Sequence, residues 1–156
     1  MITIKKAKLK DYSILMDMRV SDEQKQFVTG FSELYQARKP EHEFFVINQG
    51  SELVGFFMLD KAYSHEYTFT EQKELGLRNI LIDQKFQGKG YAVEALKKLF
   101  NYLYGAYPDY NSICLTVNKK NRNAYSAYVK AGFIDTDKLY YGGDAGPQHI
   151  LRKRIS

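Results

Sequence analysis

The alternation Ile2-Thr3-Ile4 predicts a short strand at the start of the chain. Asp11, Tyr12 and Ser13 then open a helix that carries Ile14, Leu15, Met18 and Val20 on its apolar side. Ser21 and Gln24 stand at capping-box spacing, which predicts a second helix through Phe27, Val28 and Phe31, weakened at Gly30 and ended by Pro40. Two β-rich runs, 43–48 and 52–59, flank Gln49-Gly50-Ser51 and predict an antiparallel hairpin. The stretch 60–74 is polar but holds Tyr63, Tyr67 and Phe69, so it is expected as a functional loop or a partly paired strand extension.

In the second half an apolar run, 75–82, predicts a strand, a glycine turn follows, and Ala92, Leu96, Leu99 and Leu103 share one face of a helix over 91–103. Ile113, Leu115 and Val117 mark a strand over 112–117, and a helix over 121–131 leads into Gly132-Phe133. Two β candidates, 133–140 and 149–154, flank the turn 142–147. The order β-α-α-β-β-β-α-β-α-β-β predicts a mixed α/β (α+β) fold with a largely antiparallel central sheet, flanking helices and one β-α-β unit.

Composition narrows the picture. A chain of 156 residues, 44% hydrophobic and 26% charged, fits one globular domain spanning 1–156. The N-terminus has no apolar stretch of signal-peptide length and no segment reaches membrane-span length, so a cytoplasmic location without membrane contact is expected. Cys114 is the single cysteine, which excludes an internal disulfide, and His42, His65 and His149 lack metal-ligand spacing, so no metal is expected.

The net charge of +5 is compatible with nucleic acid, an anionic surface or a phosphorylated small molecule. Its distribution favours the last. Lys85, Lys89, Lys97, Lys98, Lys119, Lys120 and Arg122 lie in the half that holds the glycine turn, and no nucleic-acid-binding motif is present, so no nucleic-acid partner is expected.

Gln87-Gly88-Lys89-Gly90-Tyr91-Ala92 joins the strand to the helix. A helix N-terminus presents unpaired amides and a partial positive charge. Gly88 and Gly90 clear side chains from the approach, Ala92 keeps the first turn small, and Lys85 and Lys89 supply further charge, a design suited to a pyrophosphate. No Lys-Ser or Lys-Thr follows the second glycine, so it is not a Walker loop, and the preceding hairpin fits a dinucleotide fold poorly.

These residues resemble the GNAT superfamily of acyl-CoA-dependent N-acyltransferases. Gln87, Gly90 and Ala92 match its Gln/Arg-x-x-Gly-x-Gly/Ala signature, and Asn121, Ala124, Tyr128, Gly132 and Phe133 match a second pattern, Asn-x-x-Ala-x-x-x-Tyr-x-x-x-Gly-Phe. The resemblance implies a V-shaped splay between the strands 75–82 and 112–117. The pantetheine arm of acetyl-CoA, the implied co-substrate, would pair there with Ile80, Leu81 and Ile82. The amides of Gln87, Gly88, Lys89, Gly90, Tyr91, Ala92 and Val93 would hold the pyrophosphate. Asn121 and Ala124 would lie along the cofactor, Lys130 would approach it, and Tyr128 would act as the acid that protonates the departing thiolate. Homodimers are frequent among such families.

The implied reaction is acetyl transfer to a primary amine by direct attack, with a small amine or polyamine as acceptor. Protein Nα or lysine acetylation and a non-catalytic acyl-CoA-binding module are the alternatives. Where some relatives carry an acidic base this chain has Leu77-Arg78-Asn79-Ile80, and Arg78 does not lose its proton at neutral pH. Glu74, Asp83 or a water chain remain as bases. The segment 20–28 with Glu33 looks like the N-terminal region of bacterial polyamine acetyltransferases, which makes Asp22, Glu23 and Glu33 candidate contacts for a polycation.

Overall fold

A computed structural model describes residues 1–155. Seven strands form one sheet: β1 (Ile2–Lys6), β2 (His42–Gln49), β3 (Glu52–Asp60), β4 (Glu74–Ile82), β5 (Ser112–Asn118), β6 (Ile134–Tyr140) and β7 (Gln148–Arg154). Their spatial order is β1-β2-β3-β4-β5-β7-β6, and every pairing is antiparallel except the β4–β5 pair. The helices are α1 (Tyr12–Asp17), α2 (Phe31–Gln36), the single turn α3 (Tyr63–Glu66), α4 (Tyr91–Ala106) and α5 (Arg122–Ala131). The mixed α/β architecture expected from the element order is therefore present.

The central strands read as unbroken apolar runs because both faces of the sheet are covered. Phe45, Ile47, Phe57 and Leu59 join Leu96, Leu99 and Leu103 of α4 on one side. Phe44, Val46, Phe56 and Met58 alternate to the other side, where Leu15 of α1 and Phe31 of α2 close over them.

Three expectations are corrected. The first helix stops at Asp17, and Met18 is already extended, with ψ 142°. Long-range bonds end it: the Arg19 amide donates to Asp83 Oδ1 (3.0 Å) and the Gln84 amide donates to the Arg19 carbonyl (2.7 Å). The Ser21/Gln24 spacing produces only a 3-10 turn at Gln24–Gln26; α2 starts later, behind Gly30. The stretch 60–74 holds the single turn α3 where a loop or strand extension was expected, and Tyr63, Tyr67 and Phe69 cluster with Tyr140, Cys114 and Ile150.

Candidate functional site

β4 and β5 pair at only three rungs, Glu74–Ser112, Leu75–Ile113 and Gly76–Cys114. Beyond them β4 stays with β3 while β5 stays with β7, so the parallel pair opens into the splay that the resemblance implies. The closed end is locked by charge: Glu74, fully buried, accepts from Ser112 Oγ (2.6 Å) and from Arg152 Nη2 (3.0 Å). At Gly76 a Cβ would lie 2.2 Å from the Tyr63 ring, so the last rung needs a residue without a side chain.

The β3–β4 register slips where Met58 opposes Asn79 but Leu59 opposes Leu77. Arg78 is the extra residue of this bulge, a device that re-aims side chains. Its guanidinium is fully engaged, with Nε 3.3 Å from Asp60 Oδ2, Nη2 2.9 Å from Glu66 Oε2, and Nη1 donating to the Tyr67 hydroxyl (2.6 Å). Burial opposes its charge, but these partners outweigh burial and raise its pKa, so Arg78 stays a cation.

A cavity of about 420 Å³ runs through the splay. Of the predicted site residues, Ile80, Leu81, Ile82, Gln87, Gly88, Gly90, Tyr91, Ala92, Val93, Asn121, Ala124 and Tyr128 all line it. Lys89 and Lys130 are exposed and do not. Sequence reasoning missed Val20, Gln24, Phe27 and Val28, which form a wall contributed by the segment between α1 and α2. It also missed Ala127, which the helical spacing from Ala124 would have found.

At the glycine turn Gly88 and Gly90 adopt φ of +79° and +78°, and nothing lies within 4 Å of where a Cβ would stand on either. The first bond of α4 runs from the Glu94 amide to the Gly90 carbonyl (3.1 Å), leaving the amides of Tyr91, Ala92 and Val93 ahead of it without helical partners. Gln87 turns its side chain inward, Nε2 donating to the Ile82 carbonyl (2.8 Å) and to Gln24 Oε1 (3.1 Å), which ties the turn to the strand. An open, amide-lined mouth beside a sixteen-residue helix fits the pyrophosphate of a coenzyme A.

On the opposite wall Asn121, at the start of α5, lines the cavity, and its side chain makes no cap bond to the helix. Gly132, at φ +126°, reverses the chain so that the Phe133 amide reaches back to the Tyr128 carbonyl (3.0 Å). The Phe133 ring then meets the Tyr128 ring edge-on, with centroids 5.7 Å apart. The spacing of Tyr128, Gly132 and Phe133 thus fixes a phenol at the splay, and burial pushes that phenol well above its ordinary pKa.

Neither candidate base lines the cavity. Glu74 is held by Ser112 and Arg152, while Asp83 takes the Arg19 amide and lies 3.5 Å from Lys85 Nζ. The acidic residues proposed for a polycation are elsewhere too: Asp22 pairs with Lys25 (2.9 Å), and neither Glu23 nor Glu33 reaches the cavity wall. Among the described residues that line the cavity, Arg78 carries the single full charge.

A family model described as the acetyltransferase (GNAT) family matches residues 12–133. An uncharacterised N-acetyltransferase of Bacillus subtilis strain 168, YbbJ, is 32% identical over 99 residues, which is 63% of this chain and 61% of that protein's length. Among solved structures, an aminoglycoside acetyltransferase, AAC(6')-Ib, in complex with coenzyme A and kanamycin superposes with a TM-score of 0.79 at 17% identity, covering 99% of this chain and 95% of the other. Spermidine N-acetyltransferase from Vibrio cholerae, in complex with CoA and spermine, superposes at 0.73 and 16% identity, with 99% and 95% covered. At such identities the structural likeness speaks for the fold, but the family model extends from α1 to Phe133 and takes in both walls of the cavity; the chain belongs to the GNAT acetyltransferase family.

Proposed function

We propose that this protein transfers an acetyl group from acetyl-CoA to the primary amine of a small molecule. The observation that carries this reading is one continuous cavity that joins the open glycine turn to Tyr128 and Arg78 through the strand splay. Acetyl-CoA, when bound, supplies the activated thioester. The amides of Tyr91 to Val93 would hold its pyrophosphate, Asn121 and Ala124 would flank it, and the splayed edge of β4 at Ile80, Leu81 and Ile82 would pair with its arm.

Tyr128 is the acid candidate by its place in the cavity lining. A phenol is protonated at neutral pH in any case, and its hydroxyl can give a proton to a leaving thiolate, while the upward push of burial makes it a weaker donor until that thiolate forms beside it. An alkylamine with a pKa near 10.4 is neutral in only about one molecule in two thousand at pH 7, so its proton must be lost before attack. With no carboxylate or imidazole in the described lining, we assign that proton to water.

A steady-state assay of thiol release with acetyl-CoA and a panel of spermidine, lysine, a simple monoamine and an aminoglycoside tests the reading. Turnover of at least one amine is expected. No release above background with any of them would overturn it. The polyamine form rests on the likeness of the 20–28 segment, and absence of turnover on spermidine would end that form while leaving the other amines of the panel open.

A further inference from the structure

With acetyl-CoA held at the glycine turn as proposed above, the other end of the cavity is left for the acceptor, and there β4 lines the wall with Arg78 and Asn79. Each of these neighbours grips a different flanking segment. Arg78 holds the loop that contains α3, through Glu66 and Tyr67. Asn79 holds the segment between α1 and α2: its Oδ1 accepts from the Thr29 amide (3.2 Å) and its Nδ2 donates to the Thr29 carbonyl (3.2 Å).

The Asn79–Thr29 pair uses both functions of the side-chain amide and both polar groups of one backbone residue. A primary amide is the side-chain chemistry that can accept and donate from one planar group, so Asp keeps only the acceptance and Ala keeps neither. The segment it holds has little helix of its own, a single 3-10 turn at Gln24–Gln26. That segment nevertheless supplies Val20, Gln24, Phe27 and Val28 to the cavity wall. Its other long-range polar ties, Arg19 to Asp83 and Gln24 to Gln87, lie toward the glycine turn. At the Phe27–Val28 end the amides of both residues turn back locally to the Gln24 carbonyl (2.9 and 3.2 Å) and Val28 packs against the core, while Asn79 adds the polar tie to β4.

We propose that Asn79 is a specificity-determining positioning residue: by latching Thr29 to the bulged strand it holds Phe27 and Val28 against the acceptor end of the cavity. The bulge is what makes this possible, since it re-aims the side chains at 78 and 79 relative to a regular strand. This inference rests on the acetyl-transfer reading above.

The test compares the unsubstituted protein with Asn79→Ala, Asn79→Asp and Thr29→Ala on every panel amine that the parent turns over. The ratio of kcat/KM between amines is expected to change in Asn79→Ala and to stay at the parent value in Thr29→Ala. Asn79→Ala is expected to raise the acceptor KM by about tenfold or more, since a loosened wall gives up binding that ground state and transition state share. Its acetyl-CoA KM is expected to stay within about twofold, because uniform loss of binding should fall on the acceptor alone. Asn79→Asp should fall between, and Thr29→Ala, which leaves the backbone pair intact, should behave as the parent.

Hydrogen exchange gives an independent readout, with faster exchange of the Thr29 amide expected in Asn79→Ala and not in Thr29→Ala. An acceptor KM unchanged in a folded Asn79→Ala would overturn the latch, as would an equal rise in both KM values. Unaltered exchange at Thr29 would do the same. A parent with no turnover on any amine would instead defeat the acetyl-transfer reading, and this inference with it.

Discussion

Tyr128 shows how a single residue is prepared by its neighbours. Its ring is seated by Phe133, which is possible only because Gly132 takes a φ of +126°. If its hydroxyl is the acid, Tyr128→Phe should lower kcat by about 10²- to 10⁴-fold, the usual worth of a positioned proton donor, while acetyl-CoA affinity is retained. Turnover equal to the parent's would remove Tyr128 from that role. Gly76 makes a different prediction, since any Cβ there strikes the Tyr63 ring at 2.2 Å. Gly76→Ala should cost about 2–3 kcal/mol, the upper part of the range for overpacking a tight site, measured by urea unfolding. At this scale the sequence was informative about the residues of both motifs, because their chemistry is local to a turn or a helix start. It was silent on Gly76, whose need for hydrogen comes from a ring thirteen residues away in the chain.

Between elements, Glu43 ties β1, β2 and the end of α4 together. It accepts a short hydrogen bond from the Tyr107 hydroxyl and lies 3.1 Å from Lys6 Nζ. Burial pulls its carboxyl pKa upward, but Tyr107 and Lys6 outweigh burial and hold it below the ordinary 4.5. A carboxyl depressed by folding contributes stability that is present above its unfolded value and lost as pH falls through its folded value. Acid titration of stability should therefore show a loss beginning below about pH 4.5, and Glu43→Gln should flatten that part of the curve. An unchanged acid slope in the Gln variant would show that Glu43 is not a source of the loss. The elements themselves were legible where periodicity was strong: the hairpin, α4 and α5 appear close to their predicted bounds. The segment 18–30 was misread because its backbone is claimed by Asp83, Gln84 and Asn79, partners 50 or more positions away. The Ser21 hydroxyl still caps the Gln24 amide (3.4 Å), but with the flanking backbone claimed by those long-range bonds it supports only the 3-10 turn.

For the molecule as a whole, a ligand that binds the folded chain alone adds stability by mass action. At 100 times its dissociation constant acetyl-CoA should add about 2.7 kcal/mol, a rise of about 5–10 °C in Tm for a domain of this size. No shift at saturating acetyl-CoA would contradict the assignment of the glycine turn. The same measurement with the acceptor amine alone separates the two ends of the cavity.

The chain by itself determined the class of fold, the glycine turn with its helix, and the paired motif around Tyr128. Each of these is written in residues that act within one or two turns of backbone, where periodicity, positive φ and unpaired amides are local properties. The tertiary structure alone decided where the splay opens, that Arg78 stands in a bulge, and which carboxylates are withdrawn from the cavity. It also decided that Phe27 and Val28 form a wall. Those features arise from strand register and from hydrogen bonds between distant segments, and neither is encoded in the spacing of residues along the chain.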